Sequence, residues 1–253
     1  MKFINFLNES LSNGEYKTKI DLEKASQLFL KECSQIDINK PLWRGMRGKD
    51  PSFILQGNAG KRQSISNATT HNIVLDDDIS DHNSKYPLRS SSIIAITNGG
   101  KGYTDHFGSD RYAIYPYDKT VIGVCSHKDI LEREYKGLRI TDINELILDV
   151  TGLRGQYDLK ELIDKIYKVV HEGDTDSDDD SYLKWFGKFF DDKSHGEIHD
   201  TLLDIYGIDN YDFVKNDSPK LSGSKEVWIG DKCVAIHEKH LDEFKQLVKE
   251  YNR

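Results

Sequence analysis

The sequence predicts an α+β fold, in which helices gather around a sheet and do not alternate with its strands. Three observations lead there. β-rich segments lie in the middle of the chain, at SSSIIAIT (90–97) and RYAIYPYDKTVIGV (111–124). Helical periodicity runs through 143–170 and 182–206. A strand–turn–strand pattern, EVWIGDKCVAI (226–236), then precedes a last helix. Strands and helices do not follow one another in the βαβ order of a doubly wound sheet.

In chain order, the opening MKFINFLNESLSNG clusters Phe3, Ile4, Phe6 and Leu7 before the break at Asn13–Gly14, and predicts a short amphipathic helix. A second helix is expected from Asp21 to about Ser34, with Leu22, Ala25, Leu28 and Phe29 on one face. PLWRGMRG (41–48) is strand-like, and residues 49–87 are polar and loop-like with few core positions. Residues 111–124 predict two strands around 116–119, or one long bent strand. Gly152 and Gly155 mark a break within the helical stretch 143–170.

In the acidic run HEGDTDSDDDSY, Asp174, Asp176 and Asp178 have the spacing of a calcium loop. Asp179 stands where that loop needs glycine, and Trp185 where it needs a bidentate glutamate, so the run is a solvated linker. A last helix is expected over 241–251. The expected organisation is an N-terminal helical segment, 1–36, followed by a single domain, 37–253.

Composition narrows the function classes. The 253 residues are 37% hydrophobic and 31% charged, polar but well within the globular range. Thirteen Tyr, 10 Phe and 3 Trp predict an aromatic-rich core. No apolar run approaches the roughly 20 residues of a membrane span, so no membrane partner is expected. A formal charge of −8 argues against broad nucleic-acid binding, which needs a clustered positive surface. Cys33, Cys125 and Cys233 lie too far apart for a zinc or disulfide framework and suit reduced thiols in the cytoplasm. No secretory signal pattern opens the chain. His195 and His199 are helix neighbours that lack a paired metal-binding motif, and no metal is expected. His237 and His240 read as surface positions.

Three segments carry chemistry together: Leu42-Trp43-Arg44-Gly45, Ser90-Ser91-Ser92 and Lys225-Glu226-Val227-Trp228. An arginine follows an aromatic in a short strand, a serine cluster opens the next, and a glutamate after a turn-rich loop opens a late one. This order resembles the arginine–serine–glutamate class of mono-ADP-ribosyltransferases, and RYAIYPYDKTVIGV is similar to that family's strand after the serine motif. The resemblance implies a split β-sandwich of two antiparallel sheets flanked by helices. It also implies NAD⁺ as substrate, with Glu226, Ser90 and Arg44 catalytic. Arg44, Ser90, Ser91 and Ser92 would bind NAD⁺, with Tyr103 or Phe107 of the glycine-rich stretch 98–107 stacking on nicotinamide. Trp43 reads as core, while Arg47, Arg89 and Arg62 read as surface cations that could also reach phosphate.

The residue types fit that chemistry. A guanidinium forks onto pyrophosphate oxygens. Breaking the nicotinamide–ribose bond builds positive charge on the ribose, and a fixed carboxylate facing it stabilises the transition state. Hydroxyls at Ser90 and Ser92 would orient that carboxylate, with Ser91 on the other face of the strand.

Two positions depart from the family. Ser91 replaces threonine, and Ser224 stands where relatives carry the acceptor-engaging glutamate or glutamine. Residues 217–225 would form the acceptor loop, with Lys220 and Lys225 suited to an acidic or nucleic-acid partner and a host protein the expected acceptor. The opening residues also resemble the leader of proteins packaged in tailed-phage heads, where cleavage follows Leu-x-Glu, and Leu7-Asn8-Glu9 fits. That implies a virion-borne, toxin-like protein that modifies the bacterial host cytoplasm, with 1–9 as a packaging leader. The alternatives are a non-enzymatic virion or interaction module on a transferase-like fold, and an NAD⁺ glycohydrolase toxin.

Overall fold

The computed structural model describes residues 16–46, 48–57, 69–81, 86–97, 110–125, 131, 133–154, 157–208 and 223–252. The expected leader at 1–9 and the opening helix lie outside the described residues, as do Arg47, Arg62, Tyr103, Phe107 and Lys220. The chain divides into two compact units. One comprises Met1–Arg62, Lys85–Asp129 and Asp212–Arg253; the other comprises Gln63–Ser84 and Ile130–Tyr211. Both are discontinuous in sequence.

The first unit is built on eight described strands: β1 (Tyr16–Ile20), β2 (Leu42–Met46), β3 (Ser52–Gln56), β4 (Ile93–Ile96), β5 (Asp110–Pro116), β6 (Ile122–Val124), β9 (Glu226–Ile229) and β10 (Lys232–His237). Their spatial order is β1-β3-β10-β5-β2-β4-β9-β6, and every neighbouring pair is antiparallel. This bears out the α+β class. Between β2 and β4 the described residues share a single paired position, Trp43 with Ile96. The ladder is thus nearly interrupted, leaving five strands on one side and three on the other. One hydrophobic core joins the two groups, drawing Leu42, Leu55 and Ile114 from the five and Ile93, Val227 and Ile229 from the three.

Two helices cover the other face of the five strands, α1 (Leu22–Glu32) and α7 (Leu241–Tyr251). Asp21 caps α1 by accepting from the Lys24 amide. Of the apolar stripe expected for α1, Leu22, Ala25 and Phe29 are buried and Leu28 is half-buried against the same core. Phe29 meets Tyr115 and Phe244 edge-on, with centroids 5.1 and 5.6 Å apart. Trp43 belongs to this same core.

Asp118, between β5 and β6, ties down the end of α1, accepting from the Ser34 amide and hydroxyl and from the Gln35 amide. Partial burial pushes its carboxyl up, but those hydrogen bonds outweigh it and hold the group below its ordinary 3.8. A depressed folded-state value means stabilisation is present above 3.8 and lost as pH falls through the folded value. Asp118→Asn is expected to lower Tm at pH 7 by a few degrees, about 1 kcal/mol, with the difference closing in acid; melts at pH 7 and pH 3 check this.

The second unit is helical: α2 (Thr69–Asp81), α3 (Ile140–Thr151), α4 (Leu159–Glu172), α5 (Asp180–Phe190) and α6 (His195–Tyr206), with a hairpin of β7 (Glu134–Tyr135) and β8 (Leu138–Arg139). Gly152 ends α3 in the left-handed region at φ 66°, which explains the predicted break. Asp158 and Ser194 open α4 and α6 with capping boxes. The acidic run connects α4 to α5. Its Asp176 amide donates to Val150 O, Ser177 donates to Asp149, and Asp179 caps α5.

Several expectations are corrected. Residues 49–87 are not a plain loop: they contain β3 and α2, and Phe53, Leu55, Val74, Leu75 and Ile79 are buried. β1 is a strand within the stretch expected to be helical. Ser90 and Ser91 do not open β4 but lie in a 3₁₀ turn, Arg89–Ser91, before it. The expected strand–turn–strand at 226–236 is present as β9 and β10, which pair with different neighbours and not with each other. The chain crosses at Gly230 from the three-strand group to the five-strand group.

Candidate functional site

Glu226 is the first residue of β9, and the segment before it is fastened from two sides. The Thr97 amide donates to Lys225 O at 3.0 Å, and the Lys225 amide donates back to Thr97 Oγ1 at 2.9 Å. On the other side the Cys125 amide donates to Glu226 O at 2.9 Å. This stitching brings the carboxylate inside the first unit, where it is only 3% exposed.

Two donors converge on a single oxygen of that carboxylate. Trp228 Nε1 donates to Glu226 Oε1 at 2.6 Å, and Arg89 Nε donates to the same atom at 3.1 Å. Glu226 and Trp228 are two residues apart on one strand and therefore share a face. The Arg89 guanidinium also lies 5.8 Å from the centre of the Trp228 ring. Arg89, read from sequence as a surface cation, is 2% exposed and forms a buried ion pair with Glu226. The sequence signal for this was present but local: Arg89 stands directly before the serine cluster, at the point where the chain turns inward.

The serines hold the turn that carries Arg89. Ser92 Oγ donates to Leu88 O at 2.7 Å and Ser91 Oγ to the same carbonyl at 3.3 Å. These two hydroxyls thus fasten backbone, a role closer to the chain than the cofactor contact expected of them. Ser90 is buried beside Arg89 in the same turn. Two glycines let the turn approach the sheet. A Cβ on Gly57 would stand 2.7 Å from Ser91 O, and one on Gly230 would stand 2.9 Å from Pro87 Cβ. Gly57→Ala is therefore expected to push the Arg89 turn outward and destabilise the protein by about 1–3 kcal/mol, measurable by urea unfolding.

Arg44 stands on the other side of β4. Register aligns Trp43, Ile96 and Glu226 in one cross-strand row, so Arg44 leaves β2 on the opposite side from both Trp43 and Glu226. Its side chain, 1% exposed, donates from Nη1 to Ile94 O at 2.7 Å, where β2 and β4 part. Arg44 and Glu226 thus border the same short strand from its two edges. The tight cluster is Glu226 with Arg89 and Trp228, and Arg44 lies one strand away. Ser224 is half-buried, with Oγ enclosed and without a hydrogen-bond partner among the described residues. Lys225 is half-buried beside it.

His237, expected at the surface, is buried at the end of β10. Its Nδ1 accepts from the Lys239 amide, and its Nε2 lies 3.4 Å from an Asp110 carboxylate oxygen. His195 pairs with Asp164 at 3.3 Å and stacks on Tyr167. Among the described residues no group of three or more His, Cys, Asp or Glu could hold a metal ion, and no helix is long and apolar enough to cross a membrane. No family model, curated protein or solved structure matches the chain.

Proposed function

We propose that this chain is an NAD⁺-dependent mono-ADP-ribosyltransferase of the arginine–serine–glutamate class, with Glu226 as its catalytic carboxylate. The observation that carries the reading is a buried carboxylate at the start of a strand, aimed by two donors onto one oxygen. A carboxylate so fixed stabilises developing positive charge without reorganising during the reaction. The near-interruption of the sheet into five and three strands around a shared core suits the split sandwich that the sequence motifs imply.

In the proposed reaction the C1′–N bond of NAD⁺ breaks and its electron pair passes to nicotinamide, which leaves uncharged. Glu226 faces the cationic ribose and accepts a hydrogen bond from a ribose hydroxyl. An acceptor nucleophile then forms the new bond at C1′ and gives up its proton. Arg44, at the parting of β2 and β4, is assigned to the pyrophosphate. Ser224 and Lys225, immediately before Glu226, are assigned to the acceptor, a host protein in this reading.

The buried Arg89–Glu226 pair also suits a purely structural tie, as in a non-enzymatic module. Incubation with labelled NAD⁺ and bacterial lysate separates the readings. Label on protein that disappears with Glu226→Ala supports transfer, whereas free nicotinamide without labelled macromolecule supports a glycohydrolase. Neither product would leave the structural tie.

A further inference from the structure

We propose that Arg89 and Trp228 are the positioning residues of this site, fixing the orientation in which Glu226 meets the ribose. The inference rests on the reading of Glu226 as catalytic and assigns to these two residues the task that the sequence assigned to serine hydroxyls. A glutamate side chain has three rotatable bonds, and a catalytic carboxylate that wanders among rotamers forfeits its advantage. Here two donors remove that freedom from different directions. Trp228 reaches Oε1 along the same strand, at 2.6 Å. Arg89 reaches it from the turn before β4, at 3.1 Å. A single donor would leave Oε1 free to swing about that donor; two donors from separate elements fix its position.

The supports behind these donors are themselves fixed. Trp228 is fully buried in β9 and paired with Ile94 on one side and Gly123 on the other. Arg89 sits in a turn closed by the Ser91 and Ser92 hydroxyls on Leu88 O and allowed close to the sheet by Gly57 and Gly230. The serine cluster thus acts on Glu226 through Arg89: serines hold the turn, the turn holds the guanidinium, and the guanidinium holds the carboxylate. The charged donor also keeps the buried carboxylate compensated, which a neutral hydroxyl would do less well.

The test is steady-state nicotinamide release from NAD⁺ by the full chain with bacterial lysate as the source of acceptor, comparing wild type, Glu226→Gln, Arg89→Lys, Arg89→Met and Trp228→Phe. Trp228→Phe and Arg89→Met are each expected to lower kcat by about tenfold to a hundredfold with KM within about threefold of wild type. Arg89→Lys keeps the charge but loses the planar fork, so it is expected to recover part of the Arg89→Met loss. The indole N–H resonance that vanishes in Trp228→Phe is expected to shift in Arg89→Met, reporting the shared acceptor directly. Should Arg89→Met fail to fold, Trp228→Phe and Arg89→Lys carry the same test.

A raised KM at unchanged kcat would make Arg89 a substrate ligand and overturn the proposal. Wild-type kcat in both Arg89→Lys and Trp228→Phe would overturn it too. If Glu226→Gln is inactive while those two variants turn over normally, only the positioning role falls. If wild type releases no nicotinamide, the catalytic reading of Glu226 falls with it.

Discussion

Glu226→Gln is expected to slow nicotinamide release by about a hundredfold to a thousandfold. Glutamine preserves the length and shape of the side chain and removes its negative charge. The ground-state dinucleotide feels that change weakly, because the ribose carries no positive charge until the glycosidic bond stretches. The loss is therefore expected in kcat and kcat/KM together, the pattern of an interaction made only in the transition state. The substitution also leaves the Arg89 guanidinium buried opposite a neutral amide, so the assay is to be run well below the variant's own Tm. Turnover within a factor of a few of wild type would remove Glu226 from the chemistry.

Arg89→Met is expected to destabilise the protein by about 3–5 kcal/mol, because it strands the Glu226 charge in a buried position. In a protein of this size that corresponds to a Tm lower by about ten degrees or more. The double substitution Arg89→Met with Glu226→Met behaves differently. Two apolar side chains of similar volume remove both desolvation costs, so the double variant is expected to return to within about 1 kcal/mol of wild type or to exceed it. It is also expected to release no nicotinamide. Urea unfolding of the single and double variants measures both effects. A double variant as unstable as the single would mean that the pair exists to hold β9 to the Arg89 turn.

What the sequence revealed follows the range over which each signal acts. Helix α1 was legible because its Asp21 cap and its Leu22–Ala25–Phe29 stripe all lie within 11 residues or their immediate neighbour. The break at Gly152 and the last helix were legible for the same reason, as was Glu226 opening a strand. β3 and α2 were not. β3 is a five-residue strand set in polar sequence, and only its pairing with β1 and β10 makes it a strand. α2 buries His71, Asn72, Asp76 and Asp78, residues that read as loop until their partners are known. For Asp78 that partner includes the Ile208 amide, 130 positions away.

The candidate site divides along the same line. Glu226, Ser90 and Arg44 were picked out by local motif, and the structure buries all three in the first unit. Arg89 has only its place before the serine triplet as a local mark, and that does not distinguish a buried arginine from a surface one. Its partner lies 137 positions downstream. His237 follows the same rule: Lys239 is local, but Asp110 is brought to it only by the pairing of β5 with β10.

The most direct test of the central claim is a crystal structure of the Glu226→Gln protein grown with NAD⁺. The expected result is one dinucleotide with its nicotinamide ribose against residue 226 and its pyrophosphate within hydrogen-bond reach of Arg44. A dinucleotide bound elsewhere, or a pyrophosphate that never approaches Arg44, would contradict the account.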